Sequence, residues 1–578
     1  MTAAYVTNEA YRIRMDRKDV AIPSLTELVA ARNDTAAFQV VVQSDHQYSV
    51  TAGQNEWFSA KSRLRGTHER IRVAVKAPFE TKVFLEGLMT DQDDVEKADV
   101  LLTQDVLESR ANLPSALWVE VSVPADAEAG EYAVTVTVYR SFYGQDETVV
   151  MTQEIPLTVS NYCLADPKDW QFYLNLWQHL SSVARHHDVK LWSDEHFAVL
   201  KEYVASIAAL GQKSITLCAG EIPWGGQSCA VDREHGGNLY EYSIIGITKK
   251  ADGAFVYDYS KMQRYIDLCT EAGITGDIEI FGLVNVWQKL IPTPLCDDYP
   301  ENIVLRYLDE ADGCMKYLRK REEILAYVKA LETYFIETEQ IGRVRIGADE
   351  PGDVDRYRAS LALLREVAPA FQCSTAINHA EFIEEFGEII DTAAPYLGCV
   401  TAEYDRLMAH KEIEGKKILW YVCGYHYSPN NCISNPLTDN RVIGPLTAYL
   451  KLDGFLRWNY CLYPDHPRDD IRYSAFGTGD VNFVYPAANG KVLLSLRYKN
   501  LQRGIADYEL IRALQQIDPD AAGEALKGIL RFDDLADLAR KRRIVGGDVD
   551  FETDEGPFSY DWNDYNEMKK NVLARLSK

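Results

Sequence analysis

Between about residues 161 and 514 the sequence alternates short apolar runs with longer amphipathic segments, and this alternation restricts the possible folds more than any other feature. Short apolar runs predict buried strands, and apolar residues that recur every three or four positions predict helices. Strands that alternate with helices build a parallel sheet covered by helices. We predict eight strands, at Phe172–Trp177, Ser214–Ala219, Ile278–Leu283, Val344–Ala348, Ser374–Ile377, Val400–Glu403, Ile418–Cys423 and Phe455–Tyr460.

Helical patterns separate these strands, and a further one follows the last strand. We predict helices at Glu195–Leu210, Met262–Ala272, Glu322–Ile336, Val354–Val367, Glu381–Ala393 and Leu496–Leu514. Eight strands with intervening helices are what a closed (β/α)8 barrel requires. An open, doubly wound sheet is the alternative that this pattern also permits.

The segments on either side of the barrel have a different character. Residues 1–162 read as β-branched, alternating runs divided by polar turns, which predicts an all-β sandwich domain. We therefore divide the chain into a β-sandwich (1–162), a catalytic barrel (163–517) and a charged helical tail (518–578). The tail has one basic cluster, Arg540–Arg543, which we interpret as a solvated helix face.

Charge and cysteine content narrow the possible partners. A net charge of -26 repels phosphate backbones and anionic lipids, so we expect neither a nucleic-acid nor a membrane partner. The start of the chain lacks the basic and apolar regions of a secretory signal, and no run approaches the length of a membrane span. The 11 cysteines form no CxxC pair. These features predict a cytoplasmic protein without disulfides.

Polar and aromatic residues follow the predicted strands, at the end where a β/α barrel places its active site. These residues are Trp177, Gln178, His179, Glu221, Trp224–Gln227, Asn285, Trp287, Asn378, His379, Glu403, Tyr404, Tyr425, His426 and Trp458. Carboxylates and amides bind sugar hydroxyls, and aromatic rings pack on the C–H face of a sugar. The sequence therefore predicts a carbohydrate site at this end of the barrel.

Asp349 and Glu350, directly after the fourth strand, are the strongest catalytic candidates. Two adjacent, partly buried carboxylates cannot both ionise freely, so one of the two keeps a proton. A protonated Glu350 would donate to the leaving glycosidic oxygen, and an ionised Asp349 would stabilise charge on the substrate. Glycosidases usually hold two carboxylates on opposite sides of the bond, about 5 to 9 Å apart, so an adjacent pair favours attack by the substrate's own 2-acetamido group.

The same pair has a structural interpretation. Glu350 and Pro351 precede the helix that we predict from Val354, and carboxylates with a proline are common where a helix begins.

Other motifs carry no comparable signal. His186 and His187 lack an accompanying metal-ligand spacing, so we predict a surface pair and no metal site. The segment Gly477–Asp480 lacks the lysine of a phosphate loop, and Trp458 has an alternative interpretation as plain barrel core.

Several motifs together resemble the catalytic-domain family called domain of unknown function 4091, which is related to glycoside hydrolase family 123. They are Leu176–His179, Pro223–Gln227, Asp349–Pro351, Leu456–Tyr460, Gly479–Asp480 through Tyr485–Pro486, Ser495–Tyr498 and Gly504–Glu509. The resemblance implies a retaining exo-β-N-acetylgalactosaminidase with an oxazoline intermediate and no cofactor. It implies that Asp349 orients the acetamido group, that Glu350 is the general acid/base, and that Asp480 belongs to the substrate site.

Two other functions remain open at this point. One is hydrolysis of a different glycoside, with Glu350 as the acid and a remote carboxylate, Glu221 or Glu403, as its partner. The other is a carbohydrate-binding protein without catalysis. The sequence leaves the linkage, the aglycone and the oligomeric state undetermined.

Overall fold

The computed structural model describes residues 1–16, 21–53, 68–224, 230–231, 234–286, 291, 293–424, 427–542 and 556–578. The N-terminal part consists of two sheets. The first has the strand order Ala3–Asn8, Asp34–Gln43, Pro114–Val123, Glu80–Thr90 and Glu96–Leu102. The second has the order Leu28–Arg32, Thr148–Cys163, Gly130–Phe142, Glu69–Lys76, Tyr48–Thr51 and Val106–Ser109.

The two sheets bury a common apolar core, because alternate residues of each strand face the opposite sheet. Val134, Val136 and Val138 show this period of two, since all three are fully buried on one long strand. The core also takes in Trp562, from the other end of the chain. The predicted sandwich is therefore present, and the C-terminal helix contributes to its core.

Parallel strands follow the sandwich and form the catalytic part of the chain. In chain order they are Tyr173–Leu176, Ile215–Cys218, Ile278–Phe281, Val344–Asp349, Gln372–Ile377, Ile390–Pro395, Lys417–Ile418 and Gly454–Arg457. The second to seventh pair consecutively in one sheet, and the first pairs with the eighth.

Backbone hydrogen bonds join the two sets of strands into a ring. The Lys213 N–H donates to the Leu174 carbonyl at 2.9 Å, which links the first strand to the second. The Leu456 N–H donates to the Trp420 carbonyl at 2.8 Å, which links the seventh to the eighth. Each described strand thus has a parallel neighbour on both sides, as in an eight-stranded β/α barrel. The predicted α/β fold class with an N-terminal β-sandwich is confirmed.

Helices cover the outside of the barrel and continue into the tail. Their bounds are Leu180–His186, Asp194–Ala208, Ser260–Glu271, Arg321–Glu337, Val354–Val367, Glu381–Phe386, Leu397–Lys411, Leu437–Tyr449, Leu496–Ile517, Pro519–Leu526, Leu535–Lys541 and Trp562–Leu576. Side-chain caps mark several starts; for example, the Ser193 hydroxyl accepts from the His196 N–H at 3.2 Å.

The prediction for the sixth strand is wrong. Residues 400–403 lie inside the helix Leu397–Lys411, and the sixth strand is Ile390–Pro395, which begins inside the helix predicted at Glu381–Ala393. Ala393 and Ala394 have a high helix propensity, but both pair with the fifth strand and Ala393 also pairs with the seventh, and this pairing outweighs local preference. Glu403 and Tyr404 therefore do not follow a strand.

Charged side chains are buried where the sandwich meets the barrel. Asp99 of the sandwich pairs with Arg497 at 2.9 Å, and Glu9 pairs with Arg441 at 2.9 Å. All four side chains are at most 5% exposed. Such pairs are stable only with exact geometry and satisfied hydrogen bonds, so they fix the orientation of the sandwich on the barrel.

Candidate active site

The strand Val344–Asp349 directs Asp349 into the barrel. Side chains two positions apart on a strand share a face, so Gly347 and Asp349 point the same way. A Cβ atom at Gly347 would lie 2.6 Å from the ring of Phe281, so glycine is required for this ring to fill the interior. Asp349 therefore lies above the Phe281 ring, at the C-terminal mouth of the barrel.

Glu350 turns away from the strand through an unusual backbone conformation. Its φ angle is 44°, in the left-handed region, where a residue with a Cβ atom pays roughly 1 to 2 kcal/mol. Its N–H donates to the Ala376 carbonyl of the fifth strand at 3.1 Å, which holds the turn. Strained residues of this kind cluster at functional sites.

Tyr421 and two asparagines hold the carboxylate pair. The Tyr421 hydroxyl donates to Glu350 Oε1, and the Asn285 amide donates to the Asp349 carbonyl. The Asn378 side-chain oxygen lies 3.1 Å from the Tyr421 oxygen. A phenol has one proton, so with Glu350 as its acceptor the Asn378 amide must be rotated to donate through its nitrogen. Tyr421 thus holds the Glu350 carboxylate, Asn378 holds Tyr421, and Asn285 holds the Asp349 backbone.

The electrostatics of the pair favour a retained proton. Withdrawal from water and the neighbouring charge of Glu350 raise the pKa of Asp349 to about 8. The two coupled carboxyls therefore share a proton that the pair keeps through neutral pH.

Three aromatic rings form the floor beneath the pair. Trp177 and Trp224 each contact Phe281 edge to face with ring centroids 4.8 Å apart, and they contact each other at 5.4 Å. Both indoles are nearly fully buried. Within the described part of the chain, the Trp224 indole N–H has no hydrogen-bond partner, whereas the Trp177 indole interacts with the buried Glu279 carboxylate. A buried donor without a partner is costly, so the Trp224 N–H is available to a bound polar ligand.

Gln178 and His179 bond to the protein itself. The Gln178 side chain accepts from the Thr216 N–H at 2.9 Å and donates to the Leu176 carbonyl, which ties the first strand to the second. His179 Nε2 lies 3.0 Å from the Trp458 carbonyl. Burial lowers the pKa of His179 to about 3, so the ring is neutral and Nε2 is the donor.

The structure places the remote carboxylates differently from each other. Glu221 follows the second strand and is almost fully buried, with Arg306 at 2.9 Å and the Tyr240 hydroxyl at 3.1 Å. Glu403 lies on a helix, where it accepts from the Ala380 N–H at 2.8 Å and pairs with Arg406. Glu221 is therefore at the mouth but engaged, and Glu403 caps a neighbouring helix.

Tyr404 does not follow a strand, as the prediction that it binds substrate requires. Tyr404 lies on the helix Leu397–Lys411, and its hydroxyl donates to the Leu450 carbonyl at 2.8 Å. Helices of this barrel cover its outer surface, away from the mouth. The residue that follows the sixth strand is Tyr396.

Asp480 orients Trp458. Its carboxylate accepts from Arg457 at 2.8 Å and from the Trp458 indole N–H at 3.2 Å. Asp480 and Arg457 are fully buried, whereas Trp458 is half-buried and tilts against Phe476 at 5.2 Å. Burial raises the pKa of Asp480, although Arg457 opposes this. Trp458 thus remains the candidate sugar platform, and Asp480 acts through it.

Some predicted residues lie outside the described part of the chain: Gly225, Gly226, Gln227, Trp287, Tyr425 and His426. Among the residues that are described, no cluster of three histidine, cysteine or acidic side chains could hold a metal ion.

Sequence reasoning missed Tyr421, which we had placed inside the seventh strand. Its neighbour Trp420 points outward, where its indole N–H donates to the Thr447 hydroxyl of a helix at 2.7 Å. Alternation along the strand then directs Tyr421 inward. A tyrosine at an inward position near a strand end was the signal available in the sequence.

A β/α barrel with paired carboxylates, amides and indoles at its mouth is the architecture of a glycoside hydrolase. The sequence comparison agrees, since residues 177–514 match the profile described as glycoside hydrolase 123, catalytic domain. The match spans more than half of the chain, and the chain belongs to this family. The predicted relation to family 123 is confirmed, while the resemblance to domain of unknown function 4091 stays a prediction.

Solved structures extend the similarity to the sandwich. A family 123 glycoside hydrolase from Clostridium perfringens, studied for glycolipid glycan hydrolysis, superimposes with a TM-score of 0.74 at 16% identity, covering 100% of this chain and 97% of that chain. A putative glycoside hydrolase from Bacteroides vulgatus has a TM-score of 0.31 at 11% identity, with coverages of 85% and 79%. A β-D-glucuronidase from Dictyoglomus thermophilum gives 0.31 and 11%, with coverages of 83% and 67%.

A comparison with curated proteins gives no match. None of the helices in the described ranges is both long enough and apolar enough to cross a membrane.

Proposed function

We propose that this glycosidase is a retaining exo-β-N-acetylgalactosaminidase that uses the 2-acetamido group of its substrate as the nucleophile. The observation that carries the proposal is the pair itself. Withdrawal from water beside Glu350 raises the pKa of Asp349 to about 8, and the Tyr421 hydroxyl donates to Glu350. One proton shared by two adjacent carboxylates supplies both an acid and a charge stabiliser.

Two adjacent carboxylates suit a mechanism in which the substrate's acetamido group attacks. The usual two-carboxylate mechanism instead needs its carboxylates on opposite sides of the bond. Glu221 is bound by Arg306 and Tyr240, and Glu403 is bound by Arg406 on a helix. Both carboxylates are already engaged as hydrogen-bond acceptors, so neither is poised to attack the anomeric carbon. The substrate's own carbonyl oxygen then supplies the missing nucleophile.

The first step transfers one proton and exchanges one bond. The acetamido N–H binds Asp349 and favours its ionised form, so the shared proton moves to Glu350. Glu350 gives that proton to the glycosidic oxygen while the C1–O bond breaks. The acetamido carbonyl oxygen bonds to C1 from the opposite face, and ionised Asp349 stabilises the positive oxazolinium ring.

The second step reverses these roles. The Glu350 carboxylate takes a proton from water, and the water oxygen attacks C1 while the oxazoline C1–O bond breaks. Two inversions at C1 give net retention. Trp458, oriented by Asp480, supplies an apolar face for the sugar ring. The Clostridium perfringens structure was solved to study glycan hydrolysis, and we propose a glycan substrate here as well.

The test is a panel of aryl β-glycosides that differ only at C2 and C4: N-acetylgalactosaminide, N-acetylglucosaminide, galactoside and glucoside. Cleavage restricted to the 2-acetamido sugars, with the β-anomer as first product by NMR, is the expected result. Asp349→Asn should abolish most of this activity, and Glu403→Gln serves as the control because that carboxylate lies on a helix.

Equal cleavage of the galactoside would contradict the substrate-assisted mechanism and favour the two-carboxylate alternative. Glu221 would then be its candidate, because it is buried at a strand end and burial raises its pKa. Binding of the sugars without turnover, unchanged by Glu350→Gln, would favour a non-catalytic protein.

A further inference from the structure

The basic cluster of the tail is not a solvated helix face throughout. Arg540 is 71% exposed and pairs with Asp537, as expected of a solvated side chain. Arg542, which follows the helix Leu535–Lys541, is only 4% exposed. This helix packs against the helix Leu397–Lys411, directly after the sixth barrel strand. Arg542 thereby reaches the barrel although it lies beyond the matched catalytic domain, which ends at residue 514.

Two tyrosine rings enclose the Arg542 guanidinium. Its carbon lies 4.9 Å from the ring centroid of Tyr396 and 5.1 Å from that of Tyr427. One nitrogen donates to the Tyr396 hydroxyl oxygen at 3.1 Å. Among the described residues, no carboxylate lies within ion-pair distance of it. The rings and the phenol therefore stabilise this cation in place of a carboxylate.

This arrangement is costly if its purpose is stability alone. Buried charges in proteins are normally paired, and an apolar side chain of similar volume often packs more stably in the same place. A buried guanidinium that lies between two rings, with no carboxylate partner in the described ranges, therefore calls for a second explanation.

Tyr396 connects Arg542 to the carboxylate pair. The rings of Tyr396 and Tyr421 pack with centroids 5.5 Å apart, and the Tyr421 hydroxyl donates to Glu350. The backbone holds both tyrosines at the mouth, since the Tyr421 N–H donates to the Pro395 carbonyl at 3.1 Å. A displaced Tyr396 ring would leave space for the Tyr421 ring to rotate off the carboxylate.

We infer that Arg542 is a positioning residue: it holds Tyr396 against Tyr421, so that the Tyr421 hydroxyl stays on Glu350. The tail thus completes the active site of the catalytic domain. This inference rests on the proposed role of Glu350 as the proton donor. It makes no demand on the identity of the sugar, so any aryl glycoside that the enzyme hydrolyses reports on it.

The test compares Arg542→Gln, Arg542→Lys and the control Arg540→Gln, which removes an exposed cation from the helix that precedes Arg542. Misplacement of a catalytic group by about 1 Å costs up to about 100-fold, and we expect Arg542→Gln to lower kcat about tenfold with KM nearly unchanged. Lysine retains the cation over the rings and should recover part of the loss. Arg540→Gln should leave both constants unchanged.

A double-mutant cycle with Tyr421→Phe separates positioning from general stability. Once the Tyr421 hydroxyl is gone, Arg542→Gln should cost less than about twofold in kcat. The same loss in both backgrounds, or an Arg542→Gln variant equal to Arg540→Gln, would overturn the inference. If Glu350→Gln leaves activity intact, the proposed function fails. The melting temperatures of the four proteins of the cycle then test whether Arg542 and Tyr421 are structurally coupled. Additive shifts in melting temperature would overturn that coupling.

Discussion

The raised pKa of Asp349 predicts an alkaline limit to catalysis. Because this pKa is raised to about 8, the carboxylate pair retains its proton below that pH and loses it above. A group with a pKa of about 8 is roughly nine-tenths protonated at pH 7 and about one-tenth protonated at pH 9. Without that proton the pair has no acid to give to the leaving group. We therefore expect kcat/KM to fall about tenfold per pH unit above pH 8.

The assay is the initial rate of hydrolysis of an aryl β-N-acetylgalactosaminide from pH 5 to 10, at substrate concentrations below KM. Under these conditions kcat/KM reports the titration of the free enzyme. Samples incubated at each pH and returned to pH 7 must recover full activity, which separates titration from unfolding. Asp349→Asn removes one of the two coupled groups, so the limb near pH 8 should move as well as the rate fall.

Two results would refute this reasoning. A wild-type profile that stays flat to pH 10 would mean that the pair's proton is not needed. An Asp349→Asn variant that keeps the limb near pH 8 would assign that limb to another group.

Three further predictions concern single side chains. Glu350→Gln should lower hydrolysis of a natural glycoside by about 100- to 10,000-fold but that of an aryl glycoside with a good leaving group much less, and equal losses would exclude the acid role. Tyr421→Phe removes a hydrogen bond to a charged group, worth about 1.5 to 3 kcal/mol, so kcat should fall about 10- to 100-fold. The control Tyr404→Phe, on the outer helix, should not change kcat. Glu86 is buried, both of its oxygens lack a partner among the described residues, and burial raises its pKa from 4.5 to about 8. The free energy of unfolding therefore falls as pH rises from 4.5 to 8, by on the order of 5 kcal/mol at most. Urea unfolding should show Glu86→Gln more stable relative to the wild type at pH 9 than at pH 5. An equal difference at both pH values would contradict this.

Strand and helix periodicity predicted most of the barrel, because burial enforces those patterns locally. Val354–Val367 has the predicted bounds, and seven of the eight strands overlap their predicted positions. The sixth strand failed, since Ala393 and Ala394 favour a helix unless neighbouring strands pair with them. Because of this wrong strand, the sequence predicts Glu403 and Tyr404 at the mouth of the barrel.

The site divides in the same way. Asp349 and Glu350 could be found from the sequence, because adjacent acids at the end of a buried strand form a local pattern. Tyr421 and Arg542 could not be found in this way, because they come to the site from distant parts of the chain.

The sequence by itself determined that strands and helices alternate, that the protein is acidic, and which carboxylates stand at a strand end. These properties depend on residues close together in the chain. Only the tertiary structure decided that burial raises the pKa of Asp349, and that a tail arginine lies behind the active-site tyrosines. Desolvation and charge act through space, and their effect depends on which surfaces the fold brings together.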